Sequence, residues 1–109
     1  MAPFVRGDVV VIPFPFSDLS ATKRRPALVL AALPGDDLTV CQITSQARPA
    51  SNLLSLVTTD FAEGSLHQDC YLRPERLFTL DYHIIAYKAG HITDAKLQEV
   101  LTAVRGLFA

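Results

Sequence analysis

Residues 25–44 read RPALVLAALPGDDLTVCQIT, and this stretch decides the fold class. Its apolar run Pro26–Ala32 predicts a buried strand. Pro34–Asp37 contains the residue types of a tight turn. Leu38–Thr44, where polar and apolar residues mix, predicts a second strand directly after that turn. Two strands joined by so short a connection pair antiparallel, so the stretch predicts the centre of an antiparallel sheet.

Further short strands are expected on both sides of this hairpin. The β-branched run Val9–Ile12 predicts a strand, and Pro13 and Pro15 indicate that it ends or runs to a sheet edge, because proline cannot donate to a central ladder. The other predicted elements are strands at Leu53–Thr59, Cys70–Arg73, Leu77–Leu80 and Ile84–Lys88, a helical turn at Asp60–Gly64, and polar loops at Ser17–Arg24 and Ser45–Asn52.

The C-terminal segment has a different pattern. From Thr93 onward, apolar residues recur at helical spacing, which predicts an amphipathic helix with Thr93 as its N-cap and Arg105 in its last turn. We therefore expect a mainly β (α+β) protein: a single domain spanning residues 1–109, in which a small, strongly bent antiparallel sheet or barrel carries a C-terminal α-helix.

Composition limits the possible classes of function. The chain has 109 residues, a net charge of −1 and 50% hydrophobic residues, which suits one packed domain. The overall charge does not favour nucleic acid, although Lys23–Arg25 is a local cationic cluster. No run approaches the ~20 apolar residues of a membrane span, the N-terminus lacks a signal-peptide pattern, and the two cysteines lack a CxxC spacing. We expect a cytoplasmic protein with reduced thiols.

Metal and cofactor motifs are not found in the sequence. His67, His83 and His91 lack the short, repeated spacing of a ligand set such as HExxH. There is no phosphate-binding glycine loop and no GxSxG nucleophile motif. We expect neither a metal nor an organic cofactor.

Two polar positions in the hairpin are candidates for a site. Arg25 stands where the buried strand begins, and its planar guanidinium suits two phosphate oxygens. Thr44 stands where the next strand ends, followed by Ser45 and Gln46. Each feature alone is typical of an ordinary strand end, but antiparallel pairing brings Arg25 and Thr44 to the same end of the sheet.

The same residues resemble a known family. RGDVVVIPF (6–14), RPALVL (25–30) and CQITS (41–45) occur in the order and at the separations of the MazF/PemK family of type II toxins. The resemblance runs from Arg6 through the C-terminal helix. It implies an SH3-like barrel, a homodimer, and a metal-independent, sequence-selective endoribonuclease restrained by a cognate antitoxin.

The resemblance also implies roles for single residues. Arg25 and Thr44 match the family's catalytic pair, which promotes attack of a ribose 2′-OH on the adjacent phosphate of single-stranded RNA to leave a cyclic phosphate. Both are poor general bases, so we assign Arg25 as an electrostatic stabiliser and candidate general acid and Thr44 as a residue that positions the substrate by hydrogen bonding. The sequence assigns no general base. RNA is expected along a groove lined by Arg25, Thr44, Ser45 and Gln46, together with Lys23, Arg24 and Arg48.

The sequence departs from the family pattern in one place that bears on the site. Many relatives have an arginine immediately before a Thr-Leu-Asp in a later strand, whereas this chain has Phe78 there, with Arg73 and Arg76 upstream. Two alternative functions therefore stay open. One is a degenerate member that binds RNA or antitoxin without cutting; the other is a gyrase-inhibiting module on the same fold, which typically has a C-terminal tryptophan that this chain lacks. For the endoribonuclease, an antitoxin is expected to lay an acidic, flexible tail over the cationic groove and block Arg25.

Overall fold

The computed structural model describes residues 2–15, 22–47 and 53–109, with the backbone alone at residues 14, 15, 22 and 23. The strands are β1 (Asp8–Pro15), β2 (Thr22–Ala32), β3 (Asp37–Thr44), β4 (Leu54–Leu56), β5 (Phe61–Gly64), β6 (Cys70–Asp81) and β7 (Tyr87–Ile92), and the helix is α1 (Asp94–Gly106). Single 3-10 turns lie at Thr58–Asp60 and Tyr82–Ile84. The predicted class, mainly β with a C-terminal helix, is confirmed.

The seven strands form one antiparallel sheet in the order β4-β6-β3-β2-β1-β7-β5. The sheet curls into a half-barrel, as the bent-sheet prediction requires. Register shifts between β1 and β7, between β2 and β3, and between β3 and β6 mark β-bulges, which bend and twist the strands that contain them. The predicted hairpin forms the centre of this sheet, because β2 and β3 are neighbours with β1 and β6 on their outer sides.

Alternate residues of the central strands enter two separate hydrophobic clusters. The first cluster lies between the sheet and α1 and includes Leu28 of β2, Ile43 of β3 and Val100 of α1, all fully buried. The second cluster lies on the opposite face of the sheet and includes Val29 and Val40. Burial on both faces explains why the central strands are continuous apolar runs with little polar alternation.

The C-terminal helix agrees with its prediction. The Thr93 hydroxyl accepts a hydrogen bond from Lys96 N at 3.3 Å, which caps the helix N-terminus. Leu97 and Val100 are buried against the first cluster. In the part of the chain that the structure describes, no helix has the length and apolar character needed to cross a membrane.

Several element boundaries differ from the sequence prediction. The helical turn expected at Asp60–Gly64 is wrong, because the turn ends at Asp60 and Phe61–Gly64 pairs with β7 as β5. The two strands expected at Cys70–Arg73 and Leu77–Leu80 are one strand, β6. Pro74 and the two residues after it form a bulge between the pairs Gln42–Arg73 and Cys41–Leu77. Because bulge residues do not belong to the ladder, proline costs no ladder hydrogen bond there.

The first and last strands also show how proline and local turns set the boundaries. β1 pairs with β7 only as far as Val11 but with β2 as far as Pro15, so no strand among the described residues pairs with the other edge of the segment that holds Pro13 and Pro15. This agrees with the expectation that the prolines run to a sheet edge. The strand expected at Ile84–Lys88 begins later, at Tyr87, because the preceding residues form the 3-10 turn Tyr82–Ile84.

Candidate active site

Arg25 and Thr44 lie on the same face of the sheet and at the same end of it. In β2, Leu28 belongs to the first cluster and Ala27 to the second, so Arg25, two residues before Ala27, faces the side of the second cluster. In β3, Ile43 belongs to the first cluster, so Thr44 faces the side of the second as well. The convergence that the hairpin predicted is therefore present in the fold.

The hairpin also brings these two side chains to matching positions beyond its ladder. The pairing of β2 with β3 begins at Ala27 and Gln42, and Arg25 and Thr44 each lie two residues outside that first pair. Both side chains therefore stand at the end where the two strands meet, on one face.

Two neighbouring strands extend this pair into two rows of side chains on one face. The inner row crosses the sheet through successive pairs as Val10, Ala27, Gln42 and Arg73. The outer row, two residues further along, consists of the pair Ile12 and Arg25 and the pair Thr44 and Tyr71. Both rows belong to the face of the second cluster, since Cys70 and Leu72 of β6 enter the first. We call Arg25, Gln42, Thr44, Tyr71 and Arg73 the polar face.

The Thr44 hydroxyl is held by its own loop. Thr44 is 9% exposed, and its Oγ1 accepts a hydrogen bond from Gln46 N at 3.2 Å. Because one lone pair of the oxygen is occupied by that N–H, the hydroxyl proton is directed elsewhere and can be donated to a ligand oxygen. The arrangement suits the positioning role that the sequence suggested for Thr44.

Gln42 and Arg73 supply polar groups deeper in the face. Gln42 is 7% exposed, and its Oε1 is buried with no hydrogen-bond partner among the described residues. The Arg73 side chain is 15% exposed, and its guanidinium lies 3.8 Å from the Glu75 carboxylate. The Nε of Arg73 is also buried with no hydrogen-bond partner in the described part of the chain.

The polar face concentrates positive charge in a protein whose net charge is −1. Arg25 and Arg73 lie on strands separated only by β3, so two cations flank Gln42 and Thr44. A local field of this kind attracts an anionic ligand even when the whole protein carries no basic surplus. The weak overall charge is therefore compatible with an RNA site.

The other residues expected in the groove have different positions. Ser45 and Gln46 are exposed directly after β3, beside Thr44. Arg24 is exposed and, by strand alternation, lies on the opposite face of β2 from Arg25. Lys23 pairs through its backbone with Phe14, but its side chain lies outside the described part of the structure, as does Arg48 entirely.

Phe78 is not part of the polar face. It pairs with Val40 and packs against the second hydrophobic cluster. The Arg76 guanidinium lies 5.9 Å from the centre of the Phe78 ring, a cation–π contact on the surface of the sheet. The position that holds an arginine in many relatives therefore contributes to the core here.

His83 makes local contacts away from this face. His83 Nδ1 lies 2.6 Å from Asp81 Oδ1, and the hydrogen bonds from the His83 backbone and ring lower the pKa of Asp81. With Asp36, these two residues form an exposed group whose possible ligand atoms lie within 4.8 Å of one another. The group stands at the opposite end of β3 from Thr44, because Asp37 pairs with Asp81 and Thr44 with Tyr71.

Sequence reasoning missed three residues of the polar face. A usable signal existed for Gln42, which interrupts the apolar residues of β3 two positions before Thr44 and therefore shares its face. Tyr71 and Arg73 join the face only through the pairing of β3 with β6, which follows a long intervening segment. No local pattern predicts that register.

The sequence and the fold were compared with known proteins. The family of PemK-like, MazF-like toxins of type II toxin–antitoxin systems matches residues 5–108. No curated protein sequence matches the chain significantly.

Solved structures share the fold at low sequence identity. The Mycobacterium tuberculosis toxin MazF-mt6 has a TM-score of 0.72 and 15% identity, with 93% of this chain and 95% of that chain covered. A MazE–MazF structure from Deinococcus radiodurans has a TM-score of 0.71 and 20% identity, with 97% and 95% covered. An endoribonuclease in complex with its cognate antitoxin from a mycobacterial species has a TM-score of 0.63 and 16% identity, with 95% and 96% covered.

Proposed function

Because the chain belongs to the family of PemK-like, MazF-like toxins of type II toxin–antitoxin systems, we propose that it is a metal-independent endoribonuclease that cuts single-stranded RNA at selected sequences. The observation that carries this proposal is the convergence of Arg25 and Thr44 on one face of the sheet, each two residues beyond the first pair of the β2–β3 ladder. Arginine and threonine need no metal to bind and polarise a phosphate.

The proposed reaction is an internal transesterification. The 2′-oxygen of one ribose forms a bond to the adjacent phosphorus and loses its proton, while the bond from phosphorus to the 5′-oxygen of the next nucleotide breaks and that oxygen gains a proton. The products are a 2′,3′-cyclic phosphate and a 5′-hydroxyl. Negative charge accumulates on the non-bridging oxygens as the 2′-oxygen attacks, which is the charge that a fixed cation stabilises.

Arg25 and Thr44 have distinct roles in this reaction. Arg25 lies in β2, and the residues from Ala27 to Leu30 are in the core, so the backbone that carries its guanidinium is fixed before the substrate arrives. Preorganised charge of this kind accounts for about 10²–10³ in rate when one donor is removed. Thr44 donates its hydroxyl proton to a phosphate or ribose oxygen and thereby orients the scissile group.

The RNA strand is proposed to run across the polar face and beyond the ends of β2 and β3. Ser45 and Gln46, exposed beside Thr44, offer hydroxyl and amide groups to the flanking nucleotides. Lys23, Arg24 and Arg48 are proposed to contribute cationic contacts to the backbone, Arg24 from the far face of β2.

Two protein partners follow from the same proposal. The similar structures include toxins solved together with antitoxins, and we expect a cognate antitoxin whose acidic, flexible tail covers Arg25 and orders on binding. We also expect a homodimer, in which the polar face occurs twice. Sedimentation at micromolar protein concentration would show a mass of two chains, and a monomeric mass would contradict the dimer.

The test is cleavage of a mixed-sequence single-stranded RNA in EDTA by the wild type, Arg25→Ala and Thr44→Val. Arg105→Ala, an exposed arginine on α1, is the matched control. We expect wild-type and control cleavage to be equal, and Arg25→Ala to be slower by at least about a hundredfold. Equal cleavage by wild type and Arg25→Ala would contradict the proposed site. RNA that is bound but not cut by the wild type would favour the non-catalytic binding module.

A further inference from the structure

The inner row of the polar face contains two buried polar atoms that have no hydrogen-bond partner in the part of the chain that the structure describes. Gln42 Oε1 and Arg73 Nε are both buried, and neither has a hydrogen-bond partner among the described residues. Gln42 and Arg73 are directly opposed on β3 and β6. The two unpartnered atoms are therefore adjacent, and we treat them as one site.

Folded proteins satisfy nearly all of their buried polar groups, because an unpaired one loses its hydration without compensation. An apolar pair would have suited this row better, since its neighbours on the same face, Val10, Ala27 and Val40, belong to the second hydrophobic cluster. A polar pair among such apolar neighbours indicates that a ligand completes its hydrogen bonds.

The chemistry of the two groups selects the kind of ligand. Gln42 Oε1 is an acceptor and requires a donor, whereas the Arg73 guanidinium is a donor and requires an acceptor. A phosphate or a carboxylate offers acceptors alone, so it would leave Gln42 Oε1 unsatisfied. The edge of a nucleobase that carries an amino group beside a ring nitrogen or carbonyl offers both.

We propose that Gln42 and Arg73 form a base-recognition pocket that binds an amino-bearing nucleobase next to the phosphate held by Arg25 and Thr44. The proposal rests on the proposed endoribonuclease function, whose sequence selectivity it would explain. The inner row is two residues along the strands from the outer row, a distance of about 7 Å. That spacing allows one nucleotide to place its phosphate on the outer row and its base against Gln42 and Arg73.

The experiment sequences the cut sites that the protein produces in a random-sequence single-stranded RNA pool. The variants are Gln42→Leu and Arg73→Met, and the controls are Gln98→Leu and Arg105→Met, which change exposed residues of α1. A good pair of base contacts discriminates against a wrong base by roughly tenfold or more. We expect the wild type and controls to show a preference for one amino-bearing base at one position near the cut, and both variants to lose that preference about tenfold while the preferences at other positions persist.

Thermal unfolding of the free protein provides a readout independent of catalysis. Replacing an unsatisfied buried amide with an apolar side chain of similar size removes a desolvation cost, so Gln42→Leu should raise the unfolding midpoint while base preference is lost. A lower midpoint for Gln42→Leu would show that the amide stabilises the free fold, and would overturn the proposal. Unchanged base preferences in both variants, with or without a slower rate, would overturn it as well.

Failure of the proposed function is separable from failure of the pocket. If the wild type cuts no RNA, the same random pool is selected for binding, and the retained fraction is sequenced for the wild type and each variant. Enrichment of one amino-bearing base by the wild type and the controls, lost in both variants, would support the pocket without catalysis. Retained RNA with the same base composition for the wild type and both variants would overturn it.

Discussion

Asp8, the acidic residue of the Arg6-Gly-Asp8 motif, is expected to stabilise the fold strongly although it lies far from Arg25. It is 2% exposed; its Oδ2 accepts a hydrogen bond from Val5 N at 2.9 Å, and its Oδ1 lies 2.7 Å from His91 Nδ1 and 3.4 Å from Lys88 Nζ. These contacts join the start of β1 to β7. Replacing Asp8 with alanine removes all three contacts together.

The cost of Asp8→Ala can be estimated from these contacts. A backbone hydrogen bond to a buried carboxylate contributes about 1.5–2 kcal/mol. His91 and Lys88 are 33% and 40% exposed, so solvent screening reduces their pairs with Asp8 to about 1 kcal/mol or less each. We expect a loss of about 3 kcal/mol, which lowers the unfolding midpoint by about 12 °C in a domain of this size.

The assay is thermal unfolding of wild type, Asp8→Ala and Glu63→Gln, followed by RNA cleavage well below the midpoints. Glu63 pairs with Lys88 at 2.8 Å at the exposed end of the same network, so its loss should lower the midpoint far less than Asp8→Ala does. Cleavage should be unaffected by Asp8→Ala, because Ile12, not Asp8, is opposite Arg25. A midpoint for Asp8→Ala within about 2 °C of the wild type, or an equal loss in Glu63→Gln, would refute the reasoning.

Three further predictions concern stability. Burial raises the pKa of Cys41 from 9.0 to about 12. Because the pKa is raised in the folded state, the contribution of the Cys41 thiol to stability is complete below pH 9.0 and is lost as the pH rises toward 12. Chemical denaturation from pH 8 to pH 11 should therefore show a shallower alkaline loss of stability in Cys41→Ala than in the wild type. Lys96 Nζ donates to Ser55 O at 3.0 Å and lies 3.7 Å from Asp60 Oδ2, so Lys96→Met should cost about 1–2 kcal/mol in urea unfolding, and a neutral effect would contradict a role in joining α1 to the sheet. A Cβ at Gly90 would lie 2.5 Å from Glu63 O, whereas one at Gly106 would meet nothing within 4 Å. Gly90→Ala should therefore destabilise the fold by more than about 2 kcal/mol, and Gly106→Ala should stabilise it by about 0.5–1 kcal/mol. The reverse order would be inconsistent with the backbone packing of β5 on β7.

The elements that the sequence predicts well are those governed by local patterns. The hairpin Pro26–Thr44 and the amphipathic helix after Thr93 are recognisable because burial and periodicity act over a few neighbouring residues. Pro13 and Pro15 likewise predict that the end of β1 runs to a sheet edge, because a proline has no backbone N–H to donate to a neighbouring strand. These elements were sufficient to bring Arg25 and Thr44 together.

The elements that the sequence predicts poorly depend on pairing between distant segments. Phe61–Gly64 is a strand because β7 is beside it, and nothing within these four residues requires an extended backbone. The bulge after Arg73 has the same origin, since its position is set by the register of β6 on β3. Arg73 reaches the polar face through that register alone.

The charge of the protein shows why composition is a weak guide to this kind of site. A net charge of −1 suggests no affinity for nucleic acid. The fold nevertheless places Arg25 and Arg73 on strands on either side of β3 and on one face. Position, and not total charge, determines the local potential that a phosphate experiences.

The most direct test of the central claim uses an RNA oligonucleotide with a single mapped cut site, in which one ribose, 5′ to the scissile phosphate, is replaced by 2′-deoxyribose. The assay is done in EDTA with wild type and Arg25→Ala. We expect the all-ribose strand to be cut by the wild type to a 2′,3′-cyclic phosphate, the deoxy-substituted strand to stay intact at that site, and Arg25→Ala to cut neither. Cleavage of the deoxy-substituted strand at the same bond would contradict attack by the 2′-oxygen and, with it, the proposed mechanism.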